Sequence, residues 1–411
     1  MKKMRKTAGL LLLSFVLAFA GCQKDAEALD EHQKEGALNE GDSAEITPAE
    51  DGEKNKEDVM VNDNPKMQAL TAKELVAEMK LGWNLGNTLD STSSTLLKAS
   101  KATAWETAWG NPVTTEELIQ AVIDEGFNVI RIPVSWNDHI LPQEGYPITE
   151  NWMDRVQEVV DYAYSRGVYV ILNAHHESWH YPYYDNQEKA SEMLKAIWGQ
   201  IAERFKDYDE HLIFEGMNEP RKVGTPVEWN GGDKEGWEVV NHYNKVFIDT
   251  IRNAGGNNPY RILMIPGYAA NCWEGIKHLE VPEDDKLIVS VHAYEPYNFA
   301  LNINGPGVWE NDTYNIDAIM KSLNELFISK GIPVVIGEFG AMYKDVEGNE
   351  EERAAWAEYY VGEAAKLGIP CVWWDNGAFA GNGELFGLID RKTYEWKYPL
   401  VLEGLKKGLK E

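Results

Sequence analysis

The sequence is short of cysteine, of positive charge and of internal repeats, and the first two shortages narrow what the protein can be. Of 411 residues only three are cysteine. Cys22 lies in the N-terminal leader, which leaves Cys272 and Cys371, too few for a disulfide framework in an exported chain. "GIPCVWWDNG" sets Cys371 in an apolar run that reads as a buried strand, so both thiols are expected to be free, or at most joined in one bridge. Lysine and arginine number 39 against 67 acidic residues, a formal net charge of -28. Nucleic acid needs Lys and Arg contacts to its phosphates, and that class of partner is excluded. No glycine-rich phosphate loop follows the first apolar run, which argues against a doubly wound nucleotide-binding sheet. No internal repeat is evident.

What is present begins with a leader. Four basic residues in the first six precede "GLLLLSFVLAFAG", an uncharged run too short to span a bilayer and suited to a secretory signal. It ends in Ala20-Gly21-Cys22, which resembles the lipobox of bacterial lipoproteins, although Phe19 stands where that pattern usually has Leu. The expectation is a signal peptide over 1–21, a lipid anchor at Cys22 as the one membrane link, and export to the cell surface or beyond. An ordinary cleaved signal is the alternative. Residues 22–66 are acidic, almost free of aromatics and dotted with Gly, Pro and Asn, a composition that cannot bury enough apolar surface to order itself. They read as a disordered tether, with the folded domain from 67 to 411.

Within that domain short apolar runs alternate with amphipathic stretches. Strands are expected at 80–87, 127–136, 168–176, 212–220, 260–268, 286–294, 332–340 and 369–377, with helices such as "TTEELIQAVIDEG", "WMDRVQEVVDYAYSRG" and "AAWAEYYVGEAAKLG" between them. Several helices end in Gly, a common C-terminal stop. Eight such units predict an α/β fold, a single (β/α)₈ TIM barrel.

Polar residues collect where the strands end. Asn84, Asn87, Arg131, Trp136, His175, His176, Asn218, Glu219, His292, Tyr294, Glu338, Trp374 and Asp375 all fall at or just past a strand's C-terminal end, the catalytic face of such a barrel. Glu219 closes "GMNEP" and Glu338 closes "IGEFG". Two carboxyl groups across a barrel mouth suit cleavage of a glycosidic bond, one as proton donor and one as nucleophile. The 15 Trp and 19 Tyr exceed ordinary core needs and offer flat faces for sugar rings.

A competing motif lies in "LNAHHESWHYP". His176-Glu177-Ser178-Trp179-His180 fits H-E-x-x-H, which binds zinc when a helix sets the two histidines on one face. Here the lead-in is a strand and Pro182 follows, so no metal is expected. A non-catalytic sugar-binding protein would need the aromatics without the glutamate pair, and the pair is present.

"GWNLGNTLD", "FNVIRIPVSW", "ILNAHHE", "GMNEP", "VHAY", "VIGEFG" and "WWDNG", in this order, resemble glycoside hydrolase family 5, and most closely its subfamily of bacterial endoglucanases and xyloglucanases. The resemblance spans about Leu81 to Phe386. It implies a retaining endo-β-1,4-glucanase that acts on β-glucan without cofactor or metal, with Glu219 as acid/base and Glu338 as nucleophile. Arg131 and Tyr294 would then hold Glu338, His292 would tune Glu219, and Asn218 would bond the sugar 2-hydroxyl. His175 would lie near the reacting sugar, with His176 lining the same pocket from the following turn. Strand alternation, however, would send His175 and His176 to opposite sides. Trp374 would be the platform under the sugar being cleaved, while Trp373, facing the other way, would be packing. Asn87 and Asp90 would bind sugars further along, Trp309 would stack on the chain, and Asp375 would border the site. For Trp136, Trp179 and Trp229, packing and sugar contact stand level. Xyloglucan, mixed-linkage β-glucan, mannan and xylan remain alternative substrates, and the enzyme is expected to be a monomer.

Overall fold

The computed structural model describes residues 60–410. The leader, Cys22 and the tether as far as residue 59 therefore lie outside the described residues. Eight parallel strands close into a barrel in chain order: β1 (Leu81–Leu85), β2 (Val129–Ile132), β3 (Tyr169–Asn173), β4 (Leu212–Glu215), β5 (Leu263–Asn271), β6 (Leu287–His292), β7 (Val334–Phe339) and β8 (Cys371–Asp375). Each expected strand is present, mostly shorter than its apolar run, because the residues past each strand turn into the catalytic loops. The three quoted helices run over Glu116–Asp124, Glu150–Tyr164 and Asn349–Lys366. Gly126, Gly167 and Gly368 follow them at positive φ, as a left-handed stop requires. Cys272 and Cys371 are both free and buried.

Alternation along the strands builds the interior in layers. Val129, Ile171, Ile213, Ile288, Val335 and Val372 form an apolar cluster, with Leu75 and Val76 of the short helix Ala72–Glu78 packed into it. Gly82 belongs to this layer, where a Cβ would come within 2.7 Å of the Val372 methyls. Two residues further along five of the strands the polar groups begin: Asn84, Arg131, Asn173, Glu215 and Ser290, all buried. The apolar layer is the floor on which the site stands. The complementary residues, among them Ile130, Leu172, Phe214 and Trp373, pack outward under the helices.

Residues 60–66, read from sequence as tether, are attached to the domain. The Met60 carbonyl accepts from Gly256 N, and Asn62 N donates back to the Gly256 carbonyl at 3.0 Å. The Asn62 side chain reaches Asp207, and Lys66 pairs with Glu210. Asn64 caps the helix Pro65–Ala69. Composition misses this segment because backbone and polar side-chain bonds hold it, with little buried apolar surface.

Candidate active site

Arg131, from the middle of β2, is fully buried and is the hub of the barrel mouth. Its Nη1 donates to Glu338 Oε1 at 2.8 Å and to Asn84 Oδ1 at 2.9 Å, its Nη2 to Asn218 Oδ1 at 2.6 Å, and its Nε to Glu215 Oε2 at 2.8 Å. Glu215 is held in turn by Asn173 and by the Ser290 hydroxyl. One guanidinium thus joins two carboxylates, one below the site and one in it. Sequence reasoning passed over Glu215 because it sits inside the apolar run "LIFEG"; its only signal was a charge on the same strand parity as the inward-facing Ile213.

Glu338 takes its second bond from the Tyr294 hydroxyl, at 2.9 Å. Across the mouth, His292 Nδ1 lies 2.8 Å from Glu219 Oε1 and 3.6 Å from Glu338 Oε2. A register shift between Val291 and His292 sets His292 opposite Glu338 on β7. One oxygen of each catalytic-site carboxyl and a His292 nitrogen all lie within 4.8 Å of one another. Burial raises the Glu338 carboxyl above the ordinary carboxylate value and the charge of Glu219 adds to the rise; His292, Arg131 and Tyr294 oppose it. Burial would raise Glu219 too, but the hydrogen bond and charge of His292, then Arg221, hold it below its ordinary value. Burial works to lower His292, and the two carboxylates overcome it and raise the imidazole.

Trp374 forms one wall. Its ring lies parallel to that of His175, 5.6 Å away. Gly86 makes room for it, since a Cβ there would stand 2.9 Å from the indole. Trp373, on the other strand parity, is buried in the core with its indole N–H on the Phe386 carbonyl. His175 and His176 do not diverge as alternation suggested. β3 ends at Asn173, and the two rings meet edge to face 4.5 Å apart. Burial pushes His175 well below its ordinary value and His176 down to about 4, so both rings are neutral.

Several residues expected to touch substrate are also tied into the framework, although the Asp90 carboxylate lies within 4.8 Å of ring nitrogens of His175 and His176. Asp375 is fully buried and accepts from Trp83 Nε1, Gly377 N, Leu388 N, Ile389 N and Arg391 Nη2, so it organises the loop after β8. Asp90 is buried and closes a turn by accepting from Asn87 N and Thr88 N. Asn87 rides on that turn, half-buried, at φ 54°. Trp309 is 4% exposed, packed against Tyr359 with its indole N–H on the Asp312 carbonyl. Trp136 is buried with its N–H on the Asn173 carbonyl, and Trp179, nearly so, donates to Glu177. An aromatic next to a cleft gives no sign in sequence of which way its ring turns. Trp229 is the exception, 56% exposed beneath the Arg221 guanidinium.

The H-E-x-x-H stretch is not a helix. Glu177 is extended and Ser178–His180 is a single 3₁₀ turn. Glu177 is committed to Trp136 N and Trp179 Nε1, and burial lifts its carboxyl to about 8. His180 is buried with neither ring nitrogen bonded. It borders a cavity of about 380 Å³ beside Glu219, also lined by Asp138, His176, Ser178 and Arg221. A larger hollow of about 710 Å³ lies on the outer face between the helices Glu150–Tyr164 and Tyr184–Arg204, away from these groups.

Residues 90–380 match the family described as Cellulase (glycosyl hydrolase family 5). Endoglucanase B of Neocallimastix patriciarum is 54% identical over 84% of this chain and 73% of its own length. A GH5-4 broad specificity endoglucanase from Ruminococcus champanellensis, solved with cellotriose, shares 47% identity at a TM-score of 0.79, over 82% of this chain and 98% of that one. XEG5A, a xyloglucan-specific endo-β-1,4-glucanase from a metagenomic library, shares 42% at 0.77, over 81% and 98%. The barrel, the paired glutamates at the ends of β4 and β7, and these likenesses agree: the chain belongs to glycosyl hydrolase family 5.

Proposed function

We propose that Glu338 is the nucleophile and Glu219 the acid/base of a retaining endo-β-1,4-glucanase. The observation that carries the reading is the short gap between their carboxyl oxygens, within 4.8 Å. Retaining enzymes hold their carboxyls about 5–5.5 Å apart, whereas inverting enzymes leave about 6.5–9.5 Å for a water. Glu338 attacks the anomeric carbon while Glu219 protonates the departing glycosidic oxygen, giving a glucosyl ester on Glu338. Glu219, now ionised, then takes a proton from the water that cleaves that ester, and the free carboxylate of Glu338 is restored.

The neighbours fit these tasks. Arg131 and Tyr294 donate to Glu338 and favour its ionised form against the burial and the Glu219 charge that raise its carboxyl. Glu219, His292 and Glu338 share protons as one unit. With Glu338 ionised, the remaining proton belongs to the Glu219–His292 bond. On Glu219 it serves as the acid, and on His292 it leaves Glu219 ready as the base. The Asn218 carbonyl oxygen is taken by Arg131, which turns its amide NH₂ group to a sugar hydroxyl. Trp374 offers its indole to the reacting sugar.

The enzyme is an endoglucanase of β-1,4-linked glucan. Branched glucan is a second reading, favoured by the polar cavity beside Glu219, which has room for a side-chain sugar. The leader ending in Cys22 supports export with a lipid anchor, and a Cys22→Ala variant found in the medium rather than the membrane fraction would bear that out. We take the enzyme to be monomeric. The functional test is Glu338→Ala on carboxymethyl-cellulose, xyloglucan, barley β-glucan, mannan and xylan. Hydrolysis should vanish with polysaccharide binding kept; retained hydrolysis would refute the nucleophile.

A further inference from the structure

Arg221 follows Glu219 by two residues, and the mechanism above makes no use of it. Its guanidinium is held on three sides. Nε donates to Glu228 Oε1 at 3.1 Å, Nη1 donates to the Glu219 carbonyl at 3.1 Å, and Cζ lies 4.1 Å from the centroid of the exposed Trp229 ring. The same Nη1 lies 3.6 Å from Glu219 Oε2. Glu219 is therefore flanked on both oxygens, by His292 on Oε1 and by Arg221 on Oε2.

Every element around the carboxyl contributes to its charge environment. Glu219 faces His292 from β6, Tyr294 from just beyond it, Glu338 from β7, Glu384 from the segment after β8, His176 from the loop after β3, and Arg221 from its own loop. Arg221 in turn faces the two carboxylates Glu219 and Glu228 and lies close enough to His175, His176 and His180 to help keep them neutral. Its charge is permanent, and it is divided between two acids. Glu228 is itself fixed, since its second oxygen accepts from Gly224 N at 2.7 Å. The stacked indole and the fixed carboxylate stop the guanidinium from swinging out into water.

We infer that Arg221 is a positioning residue for the acid/base, and that the division of its charge between Glu219 and Glu228 sets the pH at which Glu219 gives up its proton. Arg221 draws Glu219 towards the ionised form, and Glu228 limits that pull by claiming part of the same cation. Trp229 keeps the guanidinium plane where both carboxylates can reach it. The inference rests on the reading of Glu219 as acid/base.

The test is the pH profile of kcat/KM on a soluble β-glucan. Its basic limb reports loss of the Glu219 proton. Arg221→Met removes the cation, so the limb should move to higher pH, by about half to one unit for a partly solvated pair. Glu228→Gln leaves the whole cation to Glu219 and removes a nearby negative charge, so the limb should move to lower pH. Arg221→Lys keeps the charge without the fork and the stack, and its limb should fall between wild type and Arg221→Met. Opposite displacement by the first two variants is what a purely structural role would not produce. Limbs that stay in place, or move the same way, overturn the proposal. Should Glu228→Gln fail to fold, the Lys and Met variants decide alone, and coincident limbs for Met and wild type overturn it. Glu219→Gln separates the two readings: wild-type hydrolysis in that variant removes the acid/base assignment itself.

Discussion

Consider Glu215→Gln, which takes one negative charge from beneath Arg131 while keeping the side chain's shape. Glu215 is fully buried, and its carboxylate meets Arg131 Nε at 2.8 Å. At an effective dielectric near 20 the gross attraction at that distance is ~6 kcal/mol. Desolvation of both groups offsets much of it, and removing one partner of a buried pair costs about 3–5 kcal/mol in practice. Glu338 still pairs with Arg131 in the variant, so the lower end applies, about 3 kcal/mol. For a domain of this size, at about 1.4 °C per kcal/mol, this lowers Tm by roughly 4 °C. A second effect appears in catalysis. With Glu215 neutral, the Arg131 charge acts on Glu338 alone, and the nucleophile's carboxyl falls below its wild-type value. Glu338 must be ionised to attack, so the acid limb of kcat/KM should move to lower pH. Calorimetry and a pH profile from 4 to 8 measure both. An unchanged Tm with an unmoved acid limb would refute the idea that Arg131 is shared between two carboxylates.

Other substitutions separate contact from support. Asp375→Ala strips the acceptor from five donors, so it should lower Tm by about 3 °C or more, on the order of 2 kcal/mol or more. KM of the folded fraction should change little, and a raised KM with intact stability would return Asp375 to the substrate. Gly86→Ala drives a methyl against both the Trp374 indole and the Asp375 carbonyl, each 2.9 Å away; Tm should fall and KM of the folded enzyme should rise several-fold, and unaltered kinetics would argue against Trp374 as a sugar platform. Trp309→Phe should lower Tm by a few degrees and leave KM on carboxymethyl-cellulose as it was, since its ring is packed against Tyr359. Dialysis against a chelator should leave the rate unchanged; a loss restored by zinc would revive the metal reading of the histidines.

How much of this could be read in the chain depended on the kind of force involved. Strands and helices follow from periodicity, and all eight strand positions were legible for that reason. Glu219 and Glu338 were legible because a charge at the end of an apolar run has nowhere to point but the mouth. Glu215 breaks the same rule from inside its strand and was missed, though it anchors the same arginine. Asp90 and Asp375 each lie in a strand-end motif, and each also holds framework donors: two backbone N–H groups for Asp90, and backbone N–H groups, an indole and a guanidinium for Asp375, commitments that no spacing reveals. The histidine pair was misjudged because alternation stops with the strand, and β3 stops two residues before His175. The cluster at Arg221 depends on a cation over an indole eight residues further on, which leaves no periodic trace.

The clasp of residues 60–62 on Gly256 bears on how such an enzyme can be handled. Gly256 lies in the connection between the helix Lys234–Arg252 and β5, at the end of the barrel remote from Glu219 and Glu338. An affinity tag, a surface linkage or a fusion partner joined ahead of Met60 connects to the domain at that far end. Immobilised in this way, the catalyst presents its open mouth outward, and long polymers can approach it broadside without meeting their own support.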